Sequence, residues 1–77
     1  MNQSSMNQLI VDLAISSDEY VKLYQGAARV VHTHSRDGRR VHFPANILVP
    51  FVEHNGVHGS FVIQFDSNNR FQQIQRI

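Results

Sequence analysis

Residues 36–45 decide the fold, and they read Arg36-Asp37-Gly38-Arg39-Arg40-Val41-His42-Phe43-Pro44-Ala45. Asp37 and Gly38 predict the turn of a β-hairpin, because this dipeptide supplies the positive φ that tight hairpin turns require. Val41 and Phe43 alternate with polar residues, which predicts a returning strand over residues 39–43 with one apolar face. Pro44 ends that strand, since proline has no N–H to donate to a neighbouring strand.

The residues before this turn predict two strands and a short helix. Residues 27–34 alternate as the outgoing strand of the hairpin, and residues 9–15 alternate as a first strand with one apolar face. Between them, Ser16 and Glu19 have the spacing of a capping box, in which each side chain bonds the other residue's backbone N–H. The helix is expected to run from this cap to Gly26, placed as the C′ residue.

The residues after the turn predict a helical turn and a second hairpin. Residues 44–49 are expected to form one helical or 3₁₀ turn, with Pro44 at its first position and Pro50 blocking any extension. Asn55-Gly56 is a strong hairpin signal, and it predicts a strand over residues 51–54 and another from Val57 onward. Gly59 within that second strand indicates a bulge or a close backbone approach.

The C-terminal residues predict the clearest core strand and its edge neighbour. Phe61, Ile63 and Phe65 alternate with less apolar residues, and residues 66–69 predict a turn. Residues 70–77 return as a glutamine-rich edge strand, and we expect a bulge or a frayed end there because Phe71 and Ile74 are out of phase.

The predicted fold class is α+β and mainly β. It is a small antiparallel meander that curls into a partly open barrel, with one short N-terminal helix and one helical turn. We expect residues 1–7 to be a disordered lead-in and residues 8–77 to form a single domain.

Composition limits the classes of function. The chain has 77 residues, no cysteine and a formal net charge of +1. The missing cysteines exclude disulfides and thiolate metal sites, and they suit a cytoplasmic location. The near-neutral charge gives no global preference for nucleic acid or anionic lipid. No apolar run approaches the ~18 residues of a membrane span, so no membrane partner is expected.

The arginines are the first candidate surface for a charged partner: Arg29, Arg36, Arg39 and Arg40. Arginine suits bidentate contacts to phosphate or carboxylate, so this cluster could track the backbone of a nucleic acid. The alternative is an ordinary solvated turn, whose arginines pair with Asp12, Asp37 or Glu53 of the same chain.

The histidines are a second candidate. His32 and His34 share one face of a strand, and His42 could lie across the hairpin, which is a spacing that can bind zinc. The alternative, which we favour, is polar filling of a half-exposed strand, so no metal ligand and no cofactor is assigned. No Ser–His–acid order, paired carboxylates or cysteine nucleophile stands out, so we expect a non-enzymatic protein.

Several blocks of the chain resemble one small family. The blocks are Tyr24-Gln25-Gly26-Ala27-Ala28-Arg29, the stretch Asp37 to Ala45, Pro50-Phe51-Val52, Gly56-Val57-His58-Gly59-Ser60-Phe61 and Phe65-Asp66. They resemble domain-of-unknown-function family 2835, found in gammaproteobacteria, over residues 9–77. The resemblance implies no activity, substrate or cofactor, so it transfers no functional residue.

Two functions remain as expectations. The first is a protein-interaction module that uses the edge strand at residues 70–77 and exposed apolar residues near Ile47 and Val49, because a free strand edge can pair with a partner. The alternative is binding of a nucleic-acid phosphate backbone through the arginine cluster, with Arg70 as a further contact.

Overall fold

The computed structural model describes residues 7–26 and 29–77, and within them the chain forms five strands and two helical segments. In chain order these are β1 (Asn7–Ile15), α1 (Ser17–Gln25), β2 (Val30–His34), β3 (Arg40–Pro44), a 3₁₀ helix (Ala45–Phe51), β4 (Val57–Phe65) and β5 (Phe71–Arg76). The predicted lead-in lies outside the described residues, except that Asn7 already belongs to β1. Neither described helix has the length and apolar character that a bilayer crossing requires.

The strands form two antiparallel sheets. β4 is the centre of a three-stranded sheet with the order β1-β4-β5, and β2 pairs with β3 in a separate hairpin. β1 and β4 pair along their whole length, from Asn7 opposite Phe65 to Ile15 opposite Val57. The predicted class is confirmed as mainly β and antiparallel with two helical segments, and the sheets are not closed into a barrel.

The core contains the alternating apolar residues that the sequence pattern marked. Phe61 and Ile63 of β4 are fully buried, and Val41 and Phe43 of β3 are nearly so. The other buried apolar residues of the described chain are Val11, Leu13, Tyr20, Val31, Ala45, Leu48, Val57 and Phe65. The period of two in β1, β3 and β4 therefore places one face of each strand in a shared core.

The turn of the β2–β3 hairpin is tied to the first strand. The N–H of Ser35 donates to the carbonyl of Arg39 at 2.9 Å, and Gly38 has a φ of 88°. This is a three-residue hairpin loop with glycine at its left-handed position, so the predicted turn is confirmed. The N–H of Arg36 donates to the carbonyl of Ile10 at 2.8 Å. The turn therefore lies against β1.

Helix α1 begins at the predicted cap and ends at Gln25, directly before Gly26. The Ser16 N–H donates to Glu19 Oε1 at 3.1 Å and the Glu19 N–H donates to Ser16 Oγ at 3.2 Å, which confirms the capping box. The buried Tyr20 hydroxyl donates to the carbonyl of Ala45 at 2.9 Å and fastens the helix to the 3₁₀ helix. Gly26 directly follows the last helical residue, but with a φ of −72° it is the C-cap residue rather than the predicted C′ residue. A Cβ at Gly26 would lie 2.6 Å from the carbonyl oxygen of Lys22, so a larger residue would collide with the backbone of the helix at this position.

Three further boundaries differ from the predictions. The 3₁₀ helix continues through Pro50 to Phe51, because the fixed φ of proline lies within the 3₁₀ range. The predicted strand at residues 51–54 is wrong. Phe51 ends the helix, and Glu53 makes only an isolated bridge to Gly56. β2 begins at Val30, and residues 27 and 28 of its predicted range lie outside the described residues.

Candidate functional site

Arg36, the first residue of the hairpin turn, is engaged by the chain itself. Its Nε donates to Asp12 Oδ2 at 2.9 Å, and its Nη2 donates to Asp12 Oδ1 at 2.8 Å. The same Nη2 donates to Ser60 Oγ at 3.1 Å. The bidentate contact joins the hairpin to β1 and the bond to Ser60 joins it to β4, so the exposed Arg36 side chain bridges the two sheets.

Arg39, across the turn, is also paired. Its Nε donates to Asp37 Oδ2 at 2.9 Å, and its Nη2 lies 2.7 Å from the same oxygen. Asp37 in turn accepts a hydrogen bond from the Ser35 hydroxyl. The interpretation that these arginines pair with Asp12 and Asp37 is therefore confirmed for Arg36 and Arg39.

The other two candidate arginines lie apart from these pairs. Arg29 has a left-handed φ of 53°, and its Nε donates to the carbonyl of Gly26 at 3.3 Å. Arg40 is exposed on the solvent face of the hairpin, where His34 is its register partner. Arg36 and Arg39 are therefore ion-paired at the turn. Arg29 instead bonds a backbone carbonyl, and Arg40 lies opposite His34.

The ion pairs change the acidity of both carboxylates. A hydrogen bond from Arg36, which has the larger effect, and one from Ser60 lower the pKa of Asp12 to about 2. In the same way, a hydrogen bond from Arg39, which has the larger effect, and one from Ser35 lower the pKa of Asp37 to about 2. The native state therefore favours the charged form of both side chains.

Stability is expected to fall in acid because of these two carboxylates. A depressed native pKa stabilises the fold above the unfolded pKa of about 3.9, and this stabilisation is lost as the pH falls through about 2. The doubly substituted Asp12→Asn, Asp37→Asn protein should lose less stability between about pH 4 and pH 2 than the unsubstituted chain. Urea midpoints across this range measure the difference, and parallel pH profiles would contradict it.

The second candidate surface is the outer edge of β5. The N–H of Ile77 donates to the carbonyl of Ser60 at 3.0 Å, and the register continues with Arg76 opposite Phe61 and Gln75 opposite Val62. Hydrogen-bonded and non-hydrogen-bonded pairs alternate in an antiparallel ladder. The backbone groups of Gln75 therefore face β4, whereas those of Ile74 and Arg76 point away from the sheet.

The charged side chain of β5, Arg76, lies across the core face of the sheet. Arg76 Nη1 donates to the carbonyl of His58 at 2.9 Å. Its guanidinium lies 5.0 Å from the ring centre of Phe61 and 5.8 Å from that of Phe51, as in cation–π contacts. A Cβ at Gly59 would lie 2.5 Å from Arg76 Nη1, so the predicted close approach at Gly59 is to this side chain. Nothing in the sequence pattern indicated this role for Arg76.

A bulge explains why the role of Arg76 was missed. Gln64 is opposite Gln73 but Phe65 is opposite Phe71, so one extra residue interrupts β5 and confirms the predicted irregularity. The bulge brings Phe71, Ile74 and Arg76 to the core face of the sheet, and the strict alternation fails at that point. The signal available was Gly59, which indicated a close contact without naming the partner.

The side chains beside this edge are uncharged. On the outer face of the sheet, one cross-strand row contains Gln8, Gln64 and Gln73, and the next contains Ile10, Val62 and Gln75. Natural edge strands are commonly protected by charged side chains that point outward or inward, by proline or by a bulge. β5 has its bulge at the beginning and contains no proline, and its one charged side chain, Arg76, is exposed but lies across the core face of the sheet, where it bonds the carbonyl of His58.

The two apolar residues that were expected to form a contact surface near the 3₁₀ helix differ in their burial. Ile47 packs against the core, whereas Val49 is 49% exposed and Val52 is 39% exposed. Of the two residues proposed as a contact surface, the structure therefore places Val49 on the outside.

The histidines are only partly brought together. His32 and His42 are register partners with ring centres 5.8 Å apart, whereas the partner of His34 is Arg40. Among residues 7–26 and 29–77, no three His, Cys, Asp or Glu side chains converge as a metal site. The three-histidine arrangement is therefore not formed.

The fold and these surfaces define a small antiparallel β protein in which the outer edge of β5 pairs with no strand of the described residues. The model of the family described as "Protein of unknown function (DUF2835)" matches residues 7–77, and the chain belongs to this family. The search of curated proteins and the search of solved structures returned no match.

Proposed function

We propose that this chain is a non-enzymatic protein-interaction module that binds an extended segment of a partner protein at the outer edge of β5. The observation that carries the proposal is the outward direction of the backbone groups of Ile74 and Arg76. An added strand would accept and donate hydrogen bonds at these two residues and would extend the three-stranded sheet to four strands.

The position of Arg76 supports this proposal. A charged side chain on an edge strand usually opposes pairing with another strand. Here the guanidinium bonds the carbonyl of His58 and lies over Phe61, so its charge is withdrawn from the edge. Gln73 and Gln75 flank the edge and can bond a neighbouring strand without a charge to desolvate.

The ion pairs at the hairpin favour this proposal over nucleic-acid binding. Arg36 and Arg39 each contact a carboxylate of the chain, and a phosphate would have to compete with Asp12 and Asp37 for them. Phosphate-backbone binding gains most from cations that release counterions from the nucleic acid, and arginines that already neutralise carboxylates contribute less.

A pair of substitutions at one position tests strand addition. Peptides selected from a random library on the unsubstituted chain should bind Ile74→Ala but not Ile74→Pro. Both variants lose the half-buried isoleucine side chain, but only proline removes the outward N–H. Proline is tolerated on edge strands whose N–H faces solvent, so the fold should survive. Isothermal titration measures binding, and we expect at least a tenfold loss for Ile74→Pro relative to Ile74→Ala.

The arginine cluster provides the opposing control. The doubly substituted Arg39→Ala, Arg40→Ala protein should retain peptide affinity. Equal affinity for Ile74→Pro and Ile74→Ala would contradict strand addition. Oligonucleotide binding that weakens steeply with salt and disappears in the double arginine variant would favour the nucleic-acid alternative instead.

A further inference from the structure

His32 and His42 face each other on the solvent side of the β2–β3 hairpin. They are register partners, and both side chains are exposed. Ser35 and Arg39 form a hydrogen-bonded pair at the end of this ladder. Because such pairs alternate with non-hydrogen-bonded ones, His32 and His42 form a non-hydrogen-bonded pair, in which opposing side chains approach most closely.

The two imidazole rings have a separation that suits a shared ion. Their centres are 5.8 Å apart and their planes are inclined by 37°. Two imidazoles bound to one tetrahedral ion, with metal–nitrogen bonds of about 2.0–2.1 Å, have ring centres about 5 Å apart. Small rotations about the side-chain torsions of two exposed residues close the difference without moving the strands. We propose that His32 and His42 chelate a divalent transition cation such as Ni²⁺, Cu²⁺ or Zn²⁺.

The surroundings determine what kind of site this is. The next pair along the same face is His34 and Arg40, so a cation lies near the Arg40 guanidinium rather than near a carboxylate. Repulsion from that charge weakens binding, and water completes the coordination. The site therefore holds an exchangeable ion, not one that folding requires, and it is independent of strand addition at β5. The site should bind Cu²⁺ more tightly than Ni²⁺ or Zn²⁺, since the affinity of nitrogen ligands for divalent ions is highest for Cu²⁺.

Paramagnetic Ni²⁺ locates the site directly. Added to untagged protein, Ni²⁺ should broaden the amide and imidazole signals of β2 and β3 saturably, at free-metal concentrations below about 1 mM. His32→Gln and His42→Gln should each weaken this binding at least tenfold, whereas His34→Gln should change it less than threefold. Zn²⁺ at tenfold its Kd should raise the Tm of the unsubstituted chain by about 5 °C or more and that of His42→Gln much less.

The matched variants make the result decisive. All three histidines are exposed, so unchanged amide signals outside the hairpin will establish that each variant is folded. Saturable broadening confined to the hairpin and lost in His32→Gln and His42→Gln supports the chelate. The chelate is refuted by no saturable broadening below about 1 mM, by broadening that persists in both variants, or by equal losses in His34→Gln.

Discussion

Replacing Gly56 by alanine is expected to destabilise the protein by more than about 4 kcal/mol. Gly56 has a φ of 108°, and a Cβ there would lie 2.0 Å from the carbonyl oxygen of Ile15, 2.7 Å from the carbonyl carbon of Ser16 and 2.8 Å from the nitrogen of Ser17. These are backbone atoms at the end of β1 and at the cap of α1. They can move only if the strand end or the helix cap is disrupted.

Gly38 provides the matched control for this substitution. It has a φ of 88°, but a Cβ there meets nothing within 4 Å. Gly38→Ala should therefore cost only the left-handed conformation, about 1–2 kcal/mol. Urea unfolding of both variants separates the steric clash from the backbone preference, and similar losses at the two glycines would show that the close approach at Gly56 is not important for stability.

Phe61→Ala should have the second largest effect, about 3–5 kcal/mol. Phe61 lies fully buried in the central strand β4, and its ring meets that of Phe51 edge to face with centres 5.0 Å apart. Arg76 covers the same ring, so the substitution leaves a cavity and removes the cation–π contact together. A domain of this size has a total stability of roughly 4–12 kcal/mol, so the variant should lose a large share of it and should unfold at a markedly lower urea concentration.

Phe71→Ala is the comparison for Phe61→Ala. Phe71 also faces the core and lies edge to face against Phe65, but it is half-buried on the edge strand. Its loss should cost clearly less than that of Phe61, because less apolar surface is returned to water and the site can relax. Equal thermal shifts for the two variants would contradict the deeper burial of Phe61 in the core.

Local signals in the sequence predicted the local structure well. The Ser16–Glu19 capping box, the Asp-Gly turn and the alternation in β1 and β4 depend on residues a few positions apart, and each is confirmed. Pro50 was misjudged because a 3₁₀ helix accommodates the φ of proline, so an expected stop became an interior residue.

Pairings between distant residues could not be predicted. β1 pairs with β4 across α1 and both strands of the hairpin, and nothing in the alternation of either strand specifies its neighbour. The partner of Arg36 is Asp12, a residue 24 positions away on β1, and it becomes a neighbour only because the turn packs against that strand. The sequence offered Asp12, Asp37 and Glu53 as possible partners of the arginines. Asp37 lies two positions from Arg39, so that pair is local, whereas the pairing of Arg36 with Asp12 depends on the packing of the turn against β1.

Amide hydrogen exchange of β5 tests the proposed strand addition most directly. In the free protein, the register of β5 predicts slow exchange at Gln75, whose N–H faces β4. It predicts fast exchange at Ile74 and Arg76, whose N–H groups face outward. On binding a selected peptide, Ile74 and Arg76 should become protected while Gln75 changes little. Protection of Ile74 and Arg76 already in the free chain, or fast exchange at both in the complex, would contradict it.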